Sequence, residues 1–173
     1  MNFFRSFVGR EVHSSKHREA TSLEELFHGR NLVAAVRWYE IRDPGTRPFV
    51  AQAGTFAPDY QWRWMGSTAL DGFGDQAIGY SLSPTQITGH PGPMIAITGR
   101  TPDDPPNAME SESIVLTNNF YQNSGLTRWG DYSSMQVDPV DDCTFWYTGE
   151  YVKETGPGGW GTHVVTFKFP NCQ

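Results

Sequence analysis

The chain has 173 residues and a formal net charge of −6, with 14% aromatic and 18% charged residues, enough for one sizeable hydrophobic core and too apolar for a disordered tail. Acidic residues outnumber basic ones by 19 to 13, which argues against a groove that neutralises nucleic-acid phosphates. No window approaches the roughly 20 consecutive apolar residues of a bilayer span, so neither nucleic acid nor a membrane is an expected partner. The 18 glycines and 12 prolines suit short strands joined by tight turns.

Residues 1–30 differ from the rest. They carry a charge near +1 against −7 for the remainder, and three of the five histidines, His13, His17 and His28. Ser22 to Glu25 form a capping box that predicts a short helix. His13 and His17 stand four apart, a spacing for two ligands on one helical face, but with no third ligand nearby they read as a solvated polar segment. Phe3 to Val8 are followed at once by Gly9, Arg10 and Glu11, leaving no apolar stretch of the length export needs.

From residue 31 the pattern becomes period-2 strands and turns. Leu32–Ile41 and Phe49–Phe56 flank Asp43-Pro44-Gly45, and Trp62–Leu70 and Gln76–Ser83 flank the turn from Asp71 to Gly74. Met94–Thr98 follows a Pro/Gly-rich bend, residues 100–107 are loop, and Ser113–Thr117 is a weaker strand. Asp131–Val137, Cys143–Val152 and His163–Phe169 complete the set. No sustained 3.6-residue period runs through this part, so the expected fold class is all-β.

An internal repeat organises these strands. Arg63-Trp64 recurs as Arg128-Trp129, and Asp71, Asp75 and Tyr80 recur as Asp138, Asp142 and Tyr147. Each copy opens on Arg-Trp, turns around aspartate and ends a second strand in Tyr followed by Ser or Thr. A meander of this kind cannot bury both faces alone and stacks on its neighbours, as in the blades of a β-propeller. The expected division is a segment 1–30, two strands of a blade in 31–57, one blade in 62–117 and a final blade in 128–172.

The same residues carry a family resemblance. Val36 to Ile41, Tyr60 to Ser67, Arg128 to Ser134, Val137 to Thr148 and Phe167 to Cys172 together resemble the C-terminal part of large, secreted bacterial β-propeller proteins of the sialidase-like kind. The resemblance spans about residues 31–172 and implies a parent ring of six or seven blades in an extracellular or periplasmic setting. Against that ring the chain holds about two and a half blades, a partial propeller, where a closed ring usually has at least four. Expected consequences are open, apolar inter-blade faces that promote self-association, or a truncated gene product without independent function. Implied secretion also favours a Cys143–Cys172 disulfide over two buried free thiols.

Two functional readings follow. In the sialidase-like reading, Arg37, Arg63 and Arg128 clamp a carboxylate, Asp131 is the general acid, and Tyr132 or Tyr151 is a nucleophile activated by Glu150. Against it, an Arg before Trp also serves as a structural brace, and Asp71 and Asp138 are expected to bond their own backbone two residues on. The Ser-x-Asp-x-Gly-x-Thr-Trp turn of many sialidase blades is absent. In the binding reading, the chain is a binding or scaffolding module for glycans or peptides, with Trp129 and Tyr132 exposed as stacking platforms and most other aromatics in the core. No cofactor is expected, except that the run from Asp138 to Asp142 could offer oxygens to calcium, although it lacks the 1, 3, 5 alternation of a dedicated loop.

Overall fold

A computed structural model describes residues 3–4, 33–84, 92–117, 120, 129–156 and 159–172. The expected N-terminal helix and His13, His17 and His28 lie outside the described residues. The described residues contain strands and no helix: β1 (Phe3–Phe4), β2 (Val36–Arg42), β3 (Phe49–Phe56), β4 (Trp62–Leu70), β5 (Gln76–Ser83), β6 (Met94–Arg100), β7 (Ser113–Leu116), β8 (Ser134–Val137), β9 (Phe145–Val152) and β10 (Trp160–Phe167). All pairings are antiparallel. They make three sheets, ordered β1-β2-β3, β4-β5-β6-β7 and β10-β9-β8. β3, β4 and β5 have the bounds expected from the sequence, because Pro/Gly and Asp/Gly turns close them.

Elsewhere the boundaries moved: β2 is Val36–Arg42 instead of Leu32–Ile41, β6 runs on to Arg100, which the sequence assigned to the loop, β7 stops at Leu116, and β10 is Trp160–Phe167 instead of His163–Phe169. β1 pairs with the free edge of β2, so the first sheet has three strands where two were expected. β8 begins at Ser134 instead of Asp131 because the preceding residues bond across to β4 rather than into their own ladder. β9 begins at Phe145 instead of Cys143 because Asp141 Oδ1 accepts the amides of Cys143 and Thr144 at 3.1 and 2.9 Å.

Two apolar layers hold the sheets together. On one face of the second sheet, Ile78, Tyr80, Leu82, Met94 and Ala96 pack against Val36, Trp38 and Phe56 of the first. On the opposite face, Ala77, Ile95 and Ile97 pack against Met135, Phe145 and Tyr147 of the third. The strictly alternating partners show that β5 and β6 are covered on both faces, which is why they are buried along nearly their whole length. Such strands read as near-continuous apolar or small-residue runs.

Gly79 is required by this stacking. A Cβ there would run into the ring of Tyr147, which the third sheet presses onto β5. Gly79→Ala is therefore expected to overpack the layer and cost about 1–3 kcal/mol. Urea unfolding checks this, and an unchanged midpoint would refute the close approach.

The described outward faces of the terminal sheets carry exposed apolar side chains, Phe49 and Val50 on the first sheet among them. On the third sheet, Trp146, Trp160 and Val164 are exposed, but Gln136, Thr162 and Thr166 stand exposed among them.

Candidate functional site

Edge strands β4 and β8 lie beside one another, and most of the sequence-expected site residues sit along this edge. A bulge interrupts β4 between Trp64 and Ser67, with Met65 at φ 51°. Ser133 donates its hydroxyl to the Met65 carbonyl at 2.6 Å, and Ser67 Oγ accepts the Met135 amide at 2.9 Å. Gly130 packs on the Met65 side chain, and its amide donates to Glu150 Oε2 at 2.8 Å. These bonds carry Trp129, Asp131 and Tyr132 along the bulged edge.

Tyr132 is 87% exposed, as expected for a platform. Trp129 is half-buried, with its Nε1 enclosed, so only part of that ring reaches solvent. Glu150 is engaged by the Gly130 amide, and Tyr151 lies edge-on to His163 at 6.0 Å between ring centroids. Of the tyrosine–glutamate arrangement, Glu150 is thus already engaged by the main chain. Arg128 lies outside the described residues.

Arg63 is a brace. Its side chain is fully buried, with Nη2 and Nε donating to Glu112 at 2.5 and 2.9 Å. Nη1 donates to Asp59 Oδ1 at 2.8 Å and to the Gln61 carbonyl at 3.1 Å. Its guanidinium also stands 5.6 Å from the Phe56 ring centroid, where the sequence suggested an indole. Tyr80 donates its hydroxyl to Glu112 Oε2 at 2.6 Å, so this carboxylate joins β4 and β5 to the segment before β7. Arg37, on the outward side of β2, is held by Thr55 at 2.8 Å and Tyr39 at 3.3 Å. The described arginines of the expected clamp thus do not converge on one mouth.

Asp59 records the same network. Burial pushes its carboxyl up, but hydrogen bonds from Arg63 and Gln61 and the Arg63 charge outweigh burial and bring it down to about 2. A carboxyl lowered in the folded state contributes stability above its unfolded value, lost as pH falls through the folded one. Between about pH 4 and pH 2, the wild type is expected to lose urea resistance more steeply than Asp59→Asn. Parallel acid limbs for the two proteins would contradict this coupling.

A second site was not singled out from the sequence. Between the first and second sheets lies a pocket of about 350 Å³, lined by Glu40, Arg42, Gln52, Gln76, Arg100 and Asp104 with an apolar margin that includes Leu70 and Pro106. Glu40 is buried beneath it and accepts from Arg42 Nε and Gln52 Nε2, each at 2.5 Å. Burial opposes its charge, yet the hydrogen bonds of Gln52 and Arg42 and the charges of Arg42 and Arg100 hold its carboxyl below the usual range. Arg100 is buried, donates to the carbonyls of Ala108 and Asp104 at 3.1 Å, and lies 6.0 Å from the Trp38 ring centroid. One signal was present: Glu40 falls on the inward, alternating face of β2 after Val36 and Trp38, where a charge needs a partner.

The aspartate turns behave as expected. Asp71 Oδ1 accepts the Phe73 amide at 2.9 Å, and Asp138 Oδ1 accepts the Val140 amide at 2.9 Å. Gly74 completes the first turn at φ +88°, a conformation that costs glycine no Cβ clash. In the run from Asp138 to Asp142, Asp138 Oδ2 also accepts from Trp146 Nε1 at 3.2 Å. Asp141 is taken by Thr144 and by Lys168 at 3.0 Å. Of the carboxylates proposed from sequence as calcium ligands, Asp138 and Asp141 are thus engaged by protein donors. Among the described residues, no three His, Cys, Asp or Glu side chains gather in a metal-ligating group, and no helix is long and apolar enough to cross a membrane.

The expected disulfide is present: Cys143 and Cys172 are bridged across 29 positions, with 5.8 Å between their Cα atoms. No protein-family model, curated protein or solved structure matches the chain.

Proposed function

We propose that this chain is part of a β-propeller that acts as a binding or scaffolding module, with the pocket between its first and second sheets as the ligand site. Three successive antiparallel sheets, the middle one covered on both faces, support the propeller reading. The single observation that carries the binding reading is the pocket itself, whose size falls within the usual range of ligand sites. Its oppositely charged, hydrogen-bonding walls favour a neutral polar ligand, a sugar unit of a glycan or a short peptide segment, over an ion. The disulfide supports export to an oxidising compartment. Commitment of Arg63 to Glu112 and Asp59 weighs against the sialidase-like hydrolase alternative.

Titration with a panel of neutral and acidic oligosaccharides and short peptides, followed by tryptophan fluorescence, tests this function. Trp38 lies under Arg100 at the pocket, so occupancy is expected to alter emission in a saturable way. Gln52→Ala or Arg42→Ala should weaken the effective ligand by about tenfold, roughly 1.4 kcal/mol. A panel without saturable signals, or one whose signals survive both substitutions, overturns the assignment of the pocket.

A further inference from the structure

We propose that the turn between β4 and β5 holds a small hard cation, calcium by its oxygen chemistry, between the carboxylates of Asp71 and Asp75. Asp75 is completely buried, and neither of its carboxylate oxygens has a hydrogen-bond partner. Asp71 is 5% exposed; its Oδ1 accepts the amides of Phe73 and Asp75, each at 2.9 Å, while Oδ2 is enclosed without a partner. Three carboxylate oxygens are therefore closed off from solvent without a hydrogen-bond partner. Buried carboxylates are stable only when their charge is paired, bonded or bound to metal.

The repeat supplies an internal comparison. In the corresponding turn of the third sheet, both oxygens of Asp138 are satisfied, one by the Val140 amide and one by Trp146. Asp141 there has Thr144 and Lys168. The aspartate that opens the turn thus occurs once with both carboxylate oxygens answered by protein, at Asp138, and once with Oδ2 unanswered, at Asp71. Local charge is also negative: the Asp142 side chain lies against Gly72, and Glu110 is held above the usual carboxyl range by burial and by the charges of Asp104 and Asp75.

Ligand chemistry favours calcium over a softer metal. The two side chains offer oxygen only, without imidazole or thiolate, and calcium accepts carboxylates together with main-chain carbonyls and water in flexible geometry. Two carboxylates suit a site of modest affinity, in the range of about 10⁻⁴–10⁻³ M found for extracellular calcium modules.

The test is thermal unfolding of the full chain with EDTA or with millimolar calcium chloride, paired with calorimetric titration of calcium chloride. Calcium is expected to raise Tm by roughly 3–6 °C, as for a ligand that binds only the folded state at about ten times its dissociation constant. Asp75→Asn, which keeps the shape and removes the charge, should abolish both the shift and the binding heat while melting in EDTA at or above the wild type. Absence of any calcium effect on the wild type overturns the proposal. A calcium shift that persists in Asp75→Asn overturns it equally, because the ion then binds elsewhere.

Discussion

Replacing Arg63 with alanine is expected to destabilise the fold by about 3–5 kcal/mol, the cost of breaking a buried ion pair by removing one partner. The substitution leaves Glu112, whose side chain is only 13% exposed, and the Tyr80 hydroxyl without the cation that joins them. It also removes the cation from the Phe56 ring, which closes the layer between the first and second sheets. Arg63→Lys should recover only part of the loss, since an ammonium cannot reproduce the two-pronged bond to Glu112 and the reach to Asp59 at once. In a cycle with Glu112→Gln, much of the effect should be shared between the two sites, and urea unfolding measures it. If Arg63→Ala unfolds at the wild-type midpoint, the network is not structural.

Removing the disulfide is the second large effect. With Cys143 and Cys172 both changed to alanine, the chain-entropy model predicts a loss of about 3–4 kcal/mol for a loop of this length. Packing around the bridge explains why the folded state accepts it. Phe145 stacks on Phe167 at 5.3 Å and meets Phe169 edge-on at 5.6 Å, so the segment after β10 is already docked before Cys172 is reached. The bridge anchors this segment to the turn before β9, where, among the described residues, no further strand pairs with β10. Wild type under reducing conditions should fall to the stability of the double alanine variant in urea. A double variant as stable as the oxidised wild type would contradict a contribution from loop closure.

Period-2 alternation between strong turn signals revealed the strand order, because hairpin meanders are built from neighbouring residues. The repeated Asp turns announced their side-chain to backbone bonds for the same reason, as both partners lie within two residues. Trp129 and Tyr132 were legible only in part: the sequence placed them at a strand end, but the Met65 bulge determines which ring faces solvent. The arginine clamp illustrates the limit of motif reasoning. Arg63-Trp64 is a real repeat, yet Glu112 lies 49 positions away and no local pattern joins it to Arg63.

Composition with alternation determined an all-β chain of consecutive hairpins. These properties are local, so the sequence carried them unaided. Tertiary structure decided that β5 and β6 are covered on both faces, that Arg63 is a brace, and that Glu40, Gln52 and Arg100 meet around a pocket. It also decided that the Asp75 carboxylate is enclosed without a partner. Each depends on which sheet packs against which, and therefore on contacts between residues far apart in the chain.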